Sequence, residues 1–552
     1  MKNRTKNVAE VLVQCLEAHG VSHIFGVPGE ENLTFLEAVR KSKITFFTTR
    51  HEQAAAFMAA TFGRITGKVG VAMSTLGPGA TNLLTGVAYA QLGGFPLLVI
   101  TGQKPLKKSR QGKFQIVDIV SIMKPITKFS ATITNGDQVP NMTQEAVRLA
   151  ETERKGAVHI ELPEDIALEA CGSVPFANPK INYPVANKKA ITEALTIIEK
   201  SKHPIIILGG CMNRMLIRKE LVAFFKKTSI PFVSTQMGKG AIDEGSPLYI
   251  GTTALSGGEY VHQALRSADT IILVGHDVIE KPPIILTPET YKNNKVIHVN
   301  LFPSNAKGIY IPTHEVIGDI SHTIATFTEK IKVNPAWDFN YFLKVRDKIK
   351  KAALELSQLP DFPLRPERII SDIQKVLPED GILALDNGMY KLYFARAFIA
   401  REKQGILLDN TLATMGAGLP SGIALKILYP DKKVLVVAGD GGIMMTIGEL
   451  ETAVRLKINL VALVLDDSGF GMIRWEQKEL NLPPFGLSFN NPDFVMLACS
   501  FGATGHKIEK AEDLAPILQK ALDSKGVHII LCSINYNEAN EALEKIKHSI
   551  IK

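Results

Sequence analysis

Val436-Val437-Ala438-Gly439-Asp440-Gly441-Gly442 and Leu463-Val464-Leu465-Asp466-Asp467-Ser468-Gly469 are two short apolar runs, each ending in a carboxylate. Runs of this kind read as buried parallel strands. Asp440 and Asp467 stand 27 positions apart, room for a turn, a crossover helix over Thr446–Leu456 and a return strand. The two carboxylates then meet at the carboxyl edge of one sheet. Hard oxygen ligands there, beside a Gly-rich turn and a helix N-terminus, suit Mg²⁺ or Ca²⁺ holding a diphosphate. A Gly-Asp-Gly turn alone is commonly just a turn; the second Asp at this spacing makes a candidate metal-diphosphate site.

Other stretches could also carry chemistry. Phe46-Phe47-Thr48-Thr49-Arg50-His51-Glu52 runs from a strand end into a helix of small residues that Glu52 opens, where a carboxylate also serves the helix dipole. Thr75-Leu76-Gly77-Pro78-Gly79-Ala80-Thr81-Asn82 follows a strand and opens a helix, a loop able to bind phosphate or simply to turn the chain. Met415, within Leu412-Ala413-Thr414-Met415-Gly416-Ala417-Gly418, is at such a place ordinarily core filling. Asp386-Asn387-Gly388-Met389-Tyr390 closes another strand and offers a tyrosine hydroxyl.

The elements that position these residues follow from length and pattern. At 552 residues the chain exceeds one hydrophobic core, and about 100 to 200 residues per domain predicts three or four. Apolar and charged contents of 45% and 21% are globular values. The net charge of +8 is spread along the chain, which fits anionic small molecules and gives no sign of nucleic acid. Five scattered cysteines without a Cys-x-x-Cys pair read as reduced thiols in a cytoplasmic protein. The amino terminus lacks the apolar core of a signal peptide. Gly86–Gly102 is broken by Gln91 and Pro96, so no membrane segment is expected. Apolar runs fall in three sets: Val69–Ser74, Leu97–Gly102 and Val158–Leu162; Pro204–Gly209, Thr270–Gly275 and Lys295–Asn300; Ile382–Asp386, Lys433–Asp440, Leu460–Asp466 and Val527–Ile534. With helical patterns between them, they predict an α/β chain of three doubly wound parallel-sheet domains, at 1–172, 187–332 and 360–552. Val174–Val185 and Val333–Pro366 read as connections.

In order and separation these motifs resemble the thiamine-diphosphate enzymes over nearly the whole chain, and within them the acetolactate synthases, nearest to the flavin-free catabolic type. The resemblance implies pyrimidine-binding, central and diphosphate-binding domains. It implies that Asp440, Asp467 and the Gly469 carbonyl hold Mg²⁺; the family's second ligand is usually Asn, and flavin-free acetolactate synthases carry Asp there. Gly388, Met389, Tyr390, Gly441, Gly442, Met472 and Ile473 become cofactor contacts, with Tyr390 where relatives often have a His that touches the diphosphate. Met415 would prop the two rings into a V, and the Ala413 carbonyl would accept from the 4′-amino group. Glu52 would share a proton with the ring nitrogen so that the cofactor's own imino nitrogen deprotonates the thiazolium. Pro28 and Gly29, in Gly26-Val27-Pro28-Gly29, would edge the site; Pro78 and Asn82 would pack on the pyrimidine. Gln115, after Phe114, would orient substrate beside the reacting carbon, its other reading being an ordinary surface Gln. Asp466 is expected to be structural and His51 orienting.

The reaction so implied is decarboxylation of pyruvate and carboligation to a second pyruvate, giving 2-acetolactate and CO₂ in a dry site. Flavin is not expected, because Val274-Gly275-His276-Asp277-Val278-Ile279-Glu280-Lys281-Pro282 stands where flavin-containing relatives carry an Arg-rich stretch. Two alternatives stay open: a flavin-dependent oxidoreductase of the pyruvate oxidase type, or another 2-oxo acid decarboxylase or carboligase. The resemblance further implies a homodimer or homotetramer, each site built from the first domain of one subunit and the third of its partner.

Overall fold

A computed structural model describes residues 6–107, 112–176, 181–215, 217–253, 260–282, 294–305 and 310–536. The predicted α/β architecture is observed as three six-stranded, all-parallel sheets. The first holds β1 (His23–Gly26), β2 (Thr45–Thr48), β3 (Gly70–Ser74), β4 (Leu97–Gln103), β5 (Ser130–Thr132) and β6 (Ala157–Pro163). The second holds β7 (Pro204–Leu208), β8 (Phe232–Ser234), β9 (Tyr249–Thr252), β10 (Thr270–Val274), β11 (Lys295–Asn300) and β12 (His314–Ile317). In the third lie β13 (Ile382–Leu385), β14 (Ile406–Leu407), β15 (Val434–Gly439), β16 (Leu460–Asp466), β17 (Thr504–Lys507) and β18 (Val527–Ser533).

The first and third sheets share one permutation, β2-β1-β3-β4-β6-β5 and β14-β13-β15-β16-β18-β17, whereas the second runs β12-β11-β10-β7-β8-β9. That second order is the one of dinucleotide-binding sheets, with its switch point between β7 and β10. The apolar runs of the sequence are the long strands of each sheet, buried along their length as parallel strands covered on both faces must be.

Two expectations are corrected. The crossover from β15 to β16 is two short helices, Asp440–Met444 and Glu449–Arg455, where one helix over Thr446–Leu456 was expected. The break coincides with Thr446, whose hydroxyl donates to the Gly416 carbonyl at 2.9 Å, so a tertiary tie displaces the regular ladder. The connection Val333–Pro366 contains an 18-residue helix, Asn340–Ser357. Its narrow stripe of Phe342, Val345 and Ile349 packs on the second sheet but is hidden in sequence among lysines.

The helix Glu52–Thr66 is buried on nearly every side. Its alanines admit close neighbours, and it packs against the helix Gly418–Leu428, with Thr61 and Ser421 hydroxyls 2.9 Å apart. One apolar cluster therefore runs from the first sheet through both helices into the third. Glu449 completes the junction by accepting from the amides of Arg50 (3.0 Å) and His51 (3.1 Å), so the third domain holds the turn that presents Glu52. Among the described residues no helix is long and apolar enough to cross a membrane.

Candidate active site

β15 and β16 are neighbours, with Gly439 opposite Leu465, so Asp440 and Asp467 leave adjacent strands at one edge, as their spacing predicts. Asp440 is buried. Its Oδ1 accepts from the Gly441 amide at 2.8 Å and its Oδ2 from Asn491 Nδ2 at 2.8 Å. Asn491 was not foreseen; it also donates to Asp466 Oδ1 at 2.9 Å, which takes the Ser468 amide and hydroxyl as a structural strand-end carboxylate would. Burial holds Asp440 above the usual carboxylate range, with Asp466 adding to the rise against its hydrogen bonds. Burial and then the Asp440 charge push Asp467 up to about 7, although Arg474 sits 3.2 Å from it. Carboxylates that repel each other in this way are what a divalent cation relieves. Among the described residues no three His, Cys, Asp or Glu side chains are grouped to hold a metal. A cation here would complete its shell from main-chain and ligand oxygens, the Gly469 carbonyl being at hand on the same wall.

These residues floor a cleft of about 540 Å³, within the range of small-molecule sites. Every third-domain residue expected at the site lines it: Gly388, Met389, Tyr390, Ala413, Met415, Asp440, Gly441, Gly442, Asp467, Gly469, Met472 and Ile473. Two buried carboxylates that sequence reasoning passed over shape its wall. Asp386 accepts from the amides of Asn387 (2.8 Å) and Gly416 (3.0 Å); burial carries it up to about 6 against those bonds and the Ala417 and Gly418 amides. A Cβ on Gly442 would stand 2.6 Å from its Oδ2, so only glycine fits there. Asp409 accepts from the Thr411 amide (3.1 Å) and hydroxyl (2.8 Å) and from the Ala413 amide (2.7 Å). It thereby holds Ala413 at φ +54°, a left-handed conformation that costs a non-glycine residue about 1–3 kcal/mol. Between these anchors Met415 is fixed, its Cε 3.5 Å from where a Cβ on Gly441 would lie.

Tyr390 is placed in the cleft as expected, but its hydroxyl first accepts from the Gly439 amide at 3.0 Å, leaving its own proton for a ligand. Tyr390→Phe therefore strips a half-buried N–H of its acceptor. The expected loss is about 1–3 kcal/mol of stability, read as a lower urea midpoint with unchanged slope; an unchanged midpoint would show that the hydroxyl serves the ligand alone.

The first-domain residues gather elsewhere. Glu52 is the first residue of its helix and 8% exposed; its Oε2 accepts from Asn82 Nδ2 at 3.0 Å, and a Cβ on Gly79 would lie 3.1 Å from its Oε1. His51 caps the helix, accepting from the Gln53 amide at 3.1 Å. Gly29 abuts Thr75, so the Pro28-Gly29 turn rests on the loop that carries Pro78. Thr75 donates to Glu31, which pairs with Lys104 at 2.6 Å in a buried bridge that the sequence did not signal. Pro28, Pro78, Asn82 and Gln115 are exposed, and the Gln115 carbonyl lies 2.9 Å from a Cβ built on Gly77. None of these residues lines the third-domain cleft. One chain thus carries the expected site residues in two separate groups.

At the switch point of the second sheet, Gly209-Gly210 follows β7. The Gly210 amide, which in a dinucleotide fold would face a pyrophosphate, donates to Glu280 Oε1 at 2.7 Å, and Thr235 donates to the other oxygen. Arg214 crosses the crevice to Glu153 (2.6 Å) and Asp277 (3.3 Å), and Arg154 also meets Asp277. The protein's own groups thus take the Gly210 amide and pair these charges, and a cavity of about 110 Å³ remains beside Glu153, Arg154, Arg214 and Asp277.

Residues 6–122 match the family description "Thiamine pyrophosphate enzyme, N-terminal TPP binding domain", 191–327 its central domain and 386–532 its C-terminal TPP binding domain. The chain is 31% identical to the catabolic acetolactate synthase of Raoultella terrigena (96% of this chain, 95% of the relative). It is also 31% identical to the acetolactate synthase of Bacillus subtilis strain 168 (99% and 96%) and to the acetolactate synthase large subunit of Lactococcus lactis subsp. lactis (95% and 93%). The chain belongs to the thiamine pyrophosphate enzymes, in the family of the acetolactate synthases.

Proposed function

We propose that the protein is an acetolactate synthase that joins two pyruvates into 2-acetolactate with release of CO₂. The observation that carries this is the cleft lined together by Asp440, Asp467 and Met415, with the Asp440 charge felt at Asp467, in a chain matched nearly end to end by acetolactate synthases. Asp440, Asp467 and the Gly469 carbonyl would hold Mg²⁺, and Gly388, Met389, Gly441, Gly442, Met472 and Ile473 the diphosphate. Thiamine diphosphate, when bound, supplies the acidic ring carbon and the electron sink that decarboxylation needs. Glu52 holds a proton at its carboxyl for the aminopyrimidine, with Asn82 fixing the rotamer; Pro28, Gly29 and Pro78 border it. The Ala413 carbonyl would accept from the cofactor's amino group, Met415 would support its rings, and Gln115 would orient substrate at the rim. Apolar Met415, Met472 and Ile473 line the cleft and would keep water from the reacting carbon once ligand and partner cover them, so that carbon-carbon bond formation outruns protonation.

Flavin is dispensable in this reading, because Glu280 already takes the Gly210 amide and Arg214 and Arg154 cross the crevice. The two separate groups on one chain, read as half-sites, support a homodimer, or a tetramer of two such dimers. Five unpaired cysteines support a reducing, cytoplasmic setting. The test is to incubate the protein with thiamine diphosphate, Mg²⁺ and pyruvate. One 2-acetolactate per two pyruvates consumed, from a protein without flavin absorbance, is the expected result; acetaldehyde alone, or activity lost with a flavin, overturns it.

A further inference from the structure

The cleft carries a set of donors that neither the metal nor the ring contacts use. Lys391, second residue of the helix Tyr390–Ala397, is 7% exposed. Its ammonium donates to Asn387 Oδ1 at 2.7 Å and to the Asp409 carbonyl at 3.0 Å, both neutral. The nearby Asp409 carboxylate is consumed by Thr411 and Ala413. Asn410 lines the same wall, 6% exposed, and its Nδ2 has no hydrogen-bond partner among the described residues. From the central domain Lys281 enters the cleft as an exposed side chain. Among the described residues neither lysine forms an ion pair; Glu280, on the same wall, is turned to Gly210 and Thr235. Burial brings Lys391 down to about 8, with Lys281 adding to the fall and Asp409 and Asp386 opposing it, so it remains cationic at neutral pH. A buried ammonium whose direct hydrogen bonds all go to neutral oxygens and a buried amide without an acceptor are both costly. Together they describe a place for an oxyanion.

We propose that Lys391, Asn410 and Lys281 form the subsite that binds the carboxylate of the acceptor 2-oxo acid. This rests on the carboligase reading above. Sheet order separates the subsite from the metal: Asp409 follows β14, which lies two strands from β15 and three from β16, on the order of 10–14 Å at ~4.8 Å per strand. The diphosphate at Asp440 and Asp467 is therefore a different anion. The donor's carboxylate is excluded by chemistry, since it departs as CO₂ and an ammonium gripping it would stabilise the ground state and oppose its loss. The acceptor keeps its carboxylate in the product, so charge-assisted bonds to it act throughout the joining step.

The test uses the holoenzyme and oxamate, a pyruvate-shaped carboxylate that is not decarboxylated, followed by calorimetry, together with the ratio of 2-acetolactate to acetaldehyde formed from pyruvate. In Lys391→Met oxamate should bind roughly tenfold more weakly, the effect of about one charge-assisted bond, and acetaldehyde should rise at the expense of 2-acetolactate. Lys391→Arg should restore much of both. Lys281→Met changes an exposed side chain, poses no threat to folding, and should shift the product ratio the same way by severalfold. Unchanged oxamate affinity and product ratio overturn the proposal. So does an equal loss of thiamine diphosphate affinity, which would return Lys391 to the cofactor. A wild-type protein that makes no 2-acetolactate removes the carboligase reading itself, and that is seen before any variant is made.

Discussion

Glu52→Gln will lower turnover by about 10²–10⁴-fold, the usual worth of a positioned proton-transfer group, while thiamine diphosphate still binds within a few-fold of wild type. Gln is isosteric, and its amide oxygen can still accept from Asn82, whose Nδ2 meets the Glu52 Oε2 at 3.0 Å. The helix start keeps its other supports, the His51 cap and the Glu449 clasp on the Arg50 and His51 amides. What the substitution removes is the capacity to hold and return a proton at one atom. Because Glu52 lies in the half-site remote from the Asp440–Asp467 floor, diphosphate affinity should barely change. The isolating measurement is the exchange of the bound cofactor's acidic ring proton into deuterated solvent, followed by NMR. Wild-type exchange in the variant would take Glu52 out of the role.

How much of this site could be read before the structure depends on what kind of residue is asked about. Asp440 and Asp467 were legible because a fixed-length crossover joins neighbouring parallel strands, and the pairing of Gly439 with Leu465 is that constraint made visible. The long strands were legible because burial on both faces demands unbroken apolar runs. The remaining strands, two to four residues each, carry no such run and are defined by their partners. The anchors were opaque for another reason. Asp386, Asn491 and Glu449 act through main-chain amides or carboxylates that are far away in sequence, up to 399 positions for Glu449 and Arg50, and nothing local distinguishes them from polar surface residues; Asp409 holds only the turn that follows it, Thr411 and Ala413, a turn with no pattern of its own in the sequence. Lys391 was opaque likewise: in sequence it is one more lysine on a helix, and only burial beside neutral acceptors sets it apart. Glu280 shows the converse. The departure from a flavin motif was visible in Val278-Ile279-Glu280-Lys281, but that the Glu would cap the Gly210 amide was not.

The shared permutation of the first and third sheets puts a carboxyl edge with functional loops in each, and the shared apolar cluster holds both edges in one chain without merging them. Asp440→Ala should accordingly damage only one edge. It removes one of the two carboxylates proposed to hold Mg²⁺, so Mg²⁺ and thiamine diphosphate affinity should fall together, by more than about 10²-fold, if metal and diphosphate bind as one unit. Titration of the cofactor at fixed Mg²⁺ reads this directly; wild-type affinity would remove Asp440 from the site. Each of the two variants alone should be nearly dead, for opposite reasons. If a working site joins the Glu52 edge of one subunit to the Asp440 edge of its partner, mixing the two variants makes a heterodimer in which one site carries both lesions and the other carries none. At equal input about half the dimers are mixed and each has one sound site of two, so activity should return to about a quarter of wild type. Subunit exchange is checked independently by mass spectrometry of differently tagged chains. Demonstrated exchange with no recovered activity would mean that each chain brings its own Glu52 to its own cleft, and the two half-sites would have to close on each other by a domain movement within the subunit.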